Sequence, residues 1–266
     1  LLHKQKTGIH LVGRHRLVEQ RKEQNKIKSK LLFLFIFIIV NVSFLLFLRS
    51  PYFVIENIHI EGLDRLTREE IYNAGGMREG MNIWKISPPY LRARILTIPR
   101  VAEASVERIL PGELNISIKE KYPVVLIPFH GYYLDVAKDG LIIGLRDEYR
   151  GELPLVSGLF WGKMDVGTRI PDRARGEVIE TMLPVLYDLP ALPLAEINVA
   201  DPQHIIVYTQ QGMEVWLGDG KELEKKLEVL MHIYPRLPSS SAVEGYLDLR
   251  VAETPVFIPL ENNFSR

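Results

Sequence analysis

The sequence predicts an α+β protein: a single N-terminal transmembrane helix, a module of β-α-α-β-β order, and a mostly antiparallel β domain with a helix–strand ending. Three observations predict it. Residues 31–48 (LLFLFIFIIVNVSFLLFL) run 18 positions without a charge. Beyond them, short runs of β-branched and aromatic residues alternate with turns marked by Gly and Pro. Helix start signals and one amphipathic stripe fall in the gaps between those runs.

At 1.5 Å per residue the apolar run makes a helix of about 27 Å, close to the ~30 Å hydrocarbon core of a bilayer. A buried core helix rarely stays apolar on every face for that length. The run also exceeds a signal-peptide core, and Leu48-Arg49-Ser50-Pro51 offers no small-x-small cleavage site, so the segment is expected to stay as an anchor. Charge is asymmetric about it. Residues 1–30 hold nine basic residues against Glu19 and Glu23, whereas residues 51–266 hold 23 basic and 31 acidic ones. Basic residues beside a span are retained in the cytoplasm, so the tail is expected inside and residues 51–266 outside. The tail also suits anionic lipid and, as an alternative, nucleic acid, although no aromatics interleave its lysines and arginines.

Phe53–Glu61 reads as a strand ended by Gly62. Thr67-Arg68-Glu69-Glu70 is a capping box that opens a short helix stopped at Gly75-Gly76. Adjacent helical carboxylates point about 100° apart, so Glu69 and Glu70 are read as capping residues and not as a catalytic pair. Ser87-Pro88-Pro89 starts a second helix, which the Pro99 region ends. Val101–Arg108 and Leu114–Lys119 follow as strands about a Pro111-Gly112 turn, the second with strict apolar/polar alternation.

Tyr132–Ala137 and Leu141–Ile143 flank Asp139-Gly140, a hairpin signal, and Ile205–Thr209 with Met213–Leu217 make another about Gln210-Gln211-Gly212. The Asp172–Asp188 region is expected to be partly helical and broken by Pro184 and Pro190. Leu223, Leu227, Leu230 and Met231 form one stripe of a helix, with Glu222 and Lys226 pairing on its other side. Gly245–Arg250, extended toward Phe257, is the last strand and leaves a sheet edge near the chain end.

Several chemistries are excluded. There is no cysteine, hence no disulfide, thiol nucleophile or Cys-ligated metal. No G-x-S-x-G, H-E-x-x-H, Walker or G-x-G-x-x-G motif occurs. His59, His130, His204 and His232 have no histidine partner at ligand spacing. No enzyme activity, metal or cofactor is expected.

The module order directly after a single span, with residues 58–86 (IHIEGLDRLTREEIYNAGGMREGMNIWKI), resembles the FtsQ/DivIB bacterial division proteins, whose first extracytoplasmic module is a POTRA domain. Residues 215–238 (VWLGDGKELEKKLEVLMHIYPRLP) and 245–259 (GYLDLRVAETPVFIP) are similar to that family's strand–helix–strand ending, with the signature at Asp248, Leu249 and Arg250. The resemblance spans about residues 31–260. It implies a basic cytoplasmic tail at 1–30, a transmembrane helix at 31–49, a POTRA domain at 51–121, a β domain at 122–260 and a short tail at 261–266. It also implies a non-catalytic bitopic scaffold at the division septum, in the cell membrane, whose partners are the FtsL and FtsB or DivIC division proteins. The contact positions it implies are Arg250, Val251, Glu253 and Thr254, with Leu223, Leu227 and Leu230 on the neighbouring helix and Phe257 standing for an aromatic found after the strand in some members. Two other readings of the residues stay open: a POTRA-type polypeptide transport or secretion component, and a membrane-anchored cell-wall hydrolase.

Overall fold

The computed structural model describes residues 5–160, 164–189, 192–236 and 245–259, with side chains from residue 28 onward and at residue 26. The first element is one long helix, α1 (Gln5–Leu48), of which Lys28–Leu48 is long and apolar enough to cross a membrane. All of its large hydrophobic side chains from Leu31 to Phe47 are exposed, as a lipid-facing helix requires.

After α1 come β1 (Asn57–Glu61), α2 (Arg68–Gly75), α3 (Pro88–Ile95), β2 (Val101–Ile109) and β3 (Glu113–Glu120). The three strands form a sheet of order β1-β3-β2, so the β-α-α-β-β reading holds. The first strand is shorter than the sequence suggests, because Pro51–Phe53 winds into a 3-10 turn. Both halves of the capping box are present: Glu70 N–H donates to Thr67 Oγ1, and Thr67 N–H donates to Glu70 Oε2 at 2.7 Å. Gly62, at φ +81°, is obligatory, because a Cβ there would lie 1.9 Å from the Ile118 carbonyl oxygen.

The remaining strands are β4 (Pro123–Phe129), β5 (Tyr132–Ala137), β6 (Ile142–Arg146), β7 (Leu155–Ser157), β8 (Leu194–Asn198), β9 (Ile205–Thr209), β10 (Glu214–Gly218), β11 (Gly245–Asp248) and β12 (Val256–Pro259). They make one nine-stranded sheet of order β12-β11-β10-β9-β8-β7-β4-β5-β6. Five of its eight pairings are antiparallel (β4–β5, β5–β6, β8–β9, β9–β10 and β11–β12), and β4–β7, β7–β8 and β10–β11 are parallel. 

Two helices, α4 (Arg173–Asp188) and α5 (Leu223–Ile233), supply apolar side chains to the core of this sheet, among them Ile179, Leu183, Leu223, Leu227 and Leu230.

Three expectations are corrected here. The helix α4 is not broken at Pro184, which lies inside it; Asp172 caps its start by accepting from Arg175 N–H, and the buried face of Ile179, Met182, Leu183 and Leu186 outweighs one missing hydrogen bond. Lys226 does not pair with Glu222 on a solvated face. It is buried, and its Nζ donates to the Leu217 carbonyl at 2.7 Å. The final strand does not run from Gly245 toward Phe257 either: β11 stops at Asp248, a turn follows, and β12 returns antiparallel to it.

By its contacts the chain divides into two units. The first runs through His59 and includes Arg78–Ser87 and Arg108–Leu114; the second comprises Ile60–Met77, Pro88–Glu107 and the chain from Asn115 onward. In the second, Glu120 is buried and accepts from the backbone N–H groups of Asp64, Arg65 and Leu66, which fixes the loop before α2. Asp135, 1% exposed, holds Arg100 at 2.8 Å and Arg146 at 2.6 Å.

Candidate functional site

The β11–β12 end of the sheet is built from an inward and an outward row. Leu247 is buried in the core, and Phe257, opposite it in register, packs against the same core. On the other face Trp216 stacks on Tyr246 with ring centroids 4.2 Å apart, and Ile258 lies opposite Tyr246. Val256, 51% exposed, continues the outer strand.

Backbone chemistry fixes which groups of β12 face away from the sheet. In an antiparallel ladder, pairs that exchange both hydrogen bonds alternate with pairs that exchange none. The Leu249 N–H donates to the Trp216 carbonyl of β10, so the alternation along β11 turns the backbone groups of Leu247 toward β10 and those of Tyr246 and Asp248 toward β12. The exchanging pairs are therefore Tyr246 with Ile258 and Asp248 with Val256, and Phe257 directs its N–H and C=O outward. Pro255 and Pro259 fall on the same outward alternation and offer carbonyls alone. One N–H, that of Phe257, is the donor this edge presents among the described residues.

The residues expected to touch a partner lie around this edge in different ways. Leu223, Leu227 and Leu230 are buried and present no surface, so the helix stripe is core and not contact. Val251, Glu253 and Thr254 sit in the turn between β11 and β12, not on a strand. Val251 is exposed, and Glu253 forms an ion pair with Lys225 of α5. Arg250 is turned back onto its own domain: its Nη2 meets Asp248 Oδ2 at 2.6 Å, its Nε is 3.0 Å from both carboxylate oxygens, and its guanidinium lies over the Trp216 ring. The Arg250 guanidinium holds the Asp248 carboxyl below the usual carboxylate range. Leu249, the middle of the signature, is buried and its N–H donates to the Trp216 carbonyl. The Asp-Leu-Arg signature is thus a staple for the turn that launches β12.

The sequence reading missed the buried charges, Asp135 and Lys226. Both had a signal: Asp135 interrupts an apolar strand between Leu134 and Val136, and Lys226 sits one place before Leu227 on the core stripe. Among the described residues no group of three His, Asp or Glu side chains is placed to hold a metal ion.

Comparison with known proteins agrees with this architecture. The family description "POTRA domain, FtsQ-type" matches residues 53–121, and "Cell division protein FtsQ/DivIB, C-terminal" matches residues 128–250. The chain belongs to the FtsQ/DivIB family. Its relatives within FtsQ/DivIB include the cell division protein DivIB of Clostridium botulinum, 26% identical over 251 residues that cover 93% of this chain and 97% of that one. Another is the cell division protein FtsQ of Geotalea daltonii, 28% identical over 207 residues, covering 75% and 74%. The solved extracytoplasmic domain of DivIB from Geobacillus stearothermophilus matches at a TM-score of 0.31 and 18% identity, over 41% of this chain and 87% of that one, and adds nothing to the assignment.

Proposed function

We propose that this FtsQ/DivIB-family chain is a non-catalytic, single-pass scaffold of the division septum, with its basic tail in the cytoplasm and residues 51–266 outside. On this reading the outside part comprises a POTRA module at 51–121 and a β domain at 122–260, and it recruits the FtsL complex with FtsB or DivIC. One observation carries the reading: β12 is the outermost strand of the sheet, and the Phe257 N–H and three carbonyls along its outer side are directed away from it. An added strand pairs with such groups by backbone hydrogen bonds, while side chains such as Val256 and Ile258 supply selectivity. The charge asymmetry about the span supports the orientation.

The test compares Phe257→Ala with Phe257→Pro for binding of the purified partner complex. Alanine removes the ring but keeps the outward N–H; proline removes both. Binding lost in the proline variant and retained in the alanine variant is the expected result. If the two variants bind alike, strand addition at β12 is wrong.

A further inference from the structure

The first unit carries a feature that the docking edge does not use. Where α1 ends, Asn82 Nδ2 donates to the Leu48 carbonyl at 2.9 Å, so the loop before α3 is tied to the last turn of the span. Aromatic rings continue the tie. Phe47, in that last turn, meets Tyr52 and Phe53, Phe53 meets Trp84 at 5.8 Å between centroids, and the Arg108 guanidinium lies over the Trp84 ring. The β2–β3 turn joins the same assembly: Val54 bridges Asn82, and the Gly112 carbonyl accepts from the Glu56 N–H at 2.9 Å.

This assembly is packed inside and apolar outside. Phe53 and Ile83 are buried, yet Tyr52, Trp84, Ile109 and Leu110 are 63%, 42%, 41% and 52% exposed, with the cationic Arg49 and Lys85 also on the surface. Exposed large apolar groups clustered in one place mark an interaction surface. Their chemistry and their position select the occupant. A 21-residue span covers about 31 Å, the full hydrocarbon thickness, so Leu48 stands at its boundary and groups bonded to Leu48 stand in the headgroup layer. Trp and Tyr with flanking Arg and Lys are the side chains that this layer favours.

We infer that Tyr52, Trp84 and the Ile109-Leu110 turn form a membrane-seated collar, immersed in the lipid headgroup and upper acyl region around the exit of α1. The inference rests on Lys28–Leu48 being a span, and not on the orientation or on β12. The collar fixes the height and tilt of the first unit on the bilayer, which a flexible linker would leave free.

The natural absence of cysteine makes the test direct. The full chain is reconstituted in nanodiscs of three parts phosphatidylethanolamine to one part phosphatidylglycerol, with a nitroxide on a single introduced cysteine. Leu110→Cys is decisive, because its sequence distance from the span does not force it near lipid; Lys85→Cys repeats the reading on the other loop. Phe37→Cys, within the span, and Leu145→Cys, on β6, are the controls. The expected result is an oxygen-to-nickel collision ratio at positions 110 and 85 several-fold above that at 145 and nearer to that at 37. Aqueous readings at both 110 and 85 with an immersed 37 overturn the collar and leave the patch to a protein partner. An aqueous reading at 37 instead overturns the span on which the inference stands.

Discussion

At one end of the nine-stranded sheet the start of the outer strand β6 is covered, and at the other the outer strand β12 is open. Ile142 of β6 donates to the Thr168 carbonyl at 2.9 Å and accepts from the Gly167 N–H at 2.8 Å, and Leu141 bridges Arg169. Behind that cover, Arg146 of β6 and Arg100 grip the buried Asp135 of β5. At the β12 end nothing of this kind lies outside the strand among the described residues, and two prolines in place of outward donors are what keeps the edge from being a general template. One edge is capped by its own chain at Leu141–Ile142; the other is restricted to partners that bring their own N–H groups.

The contrast breaks first at Asp135. Asp135→Ala leaves the largely buried Arg100 guanidinium without its counter-charge and Arg146 with Glu152 alone, and loss of one member of such a cluster costs about 3–5 kcal/mol. Urea unfolding of the purified chain in detergent micelles measures it. A loss below about 1 kcal/mol would mean that the β6 edge is held by its loop and not by the charges.

The next change converts the open edge into a template. Pro255→Ser together with Pro259→Ser adds two outward N–H groups to β12. Paired with a second copy, those donors contribute roughly 0.5–1.5 kcal/mol each, so self-association should tighten by about tenfold or more. Sedimentation of the two forms measures this, and an unchanged monomer would show that the prolines do not guard the edge.

Lys226 tests what supports the open end from beneath. Lys226→Met keeps much of the volume but removes the donor to the Leu217 carbonyl on β10, leaving a buried acceptor unmatched at a cost of about 1–3 kcal/mol. Thermal unfolding should register it, while a neutral result would mean that another donor reaches Leu217.

The same comparison explains what was legible beforehand. The span, the capping box at Thr67 and Glu70, and the two hairpins are set by near neighbours in sequence, through hydrophobic run length, capping geometry and Asp-Gly or Gln-Gly turns. The continuity of α4 through Pro184 was not, because it depends on a buried face completed by strands far along the chain. Nor was the turn that separates β11 from β12. A run such as GYLDLRVAETPVFIP does not announce that its middle turns back, since the turn is held by Arg250 reaching Asp248 and Trp216 and not by a glycine. Arg250, Val251, Glu253 and Thr254 read as strand residues in the sequence but lie in the turn between β11 and β12, and the three leucines of α5 face the core.

The smallest effect concerns that staple. Hydrogen bonding from Arg250 is the main reason the Asp248 carboxyl titrates below its ordinary range, with partial burial opposing it. A carboxyl whose pKa is lower folded than unfolded stabilises the fold above its unfolded value, about 3.9, and that contribution fades as pH falls through the folded value. The pair is partly exposed, with 56% of the Arg250 side chain in solvent, so solvent screens it and its contribution is small. Acidification from neutrality to pH about 3 should therefore loosen the β11–β12 turn slightly more than the covered β6 end. Hydrogen exchange reports it through the Leu249 amide, which donates to Trp216, against the Ile142 amide, which donates to Thr168. After correction for the intrinsic pH dependence of exchange, Leu249 should lose protection relative to Ile142, and Asp248→Asn should remove that difference. Equal loss at both amides would assign the acid sensitivity to the whole sheet and not to the staple.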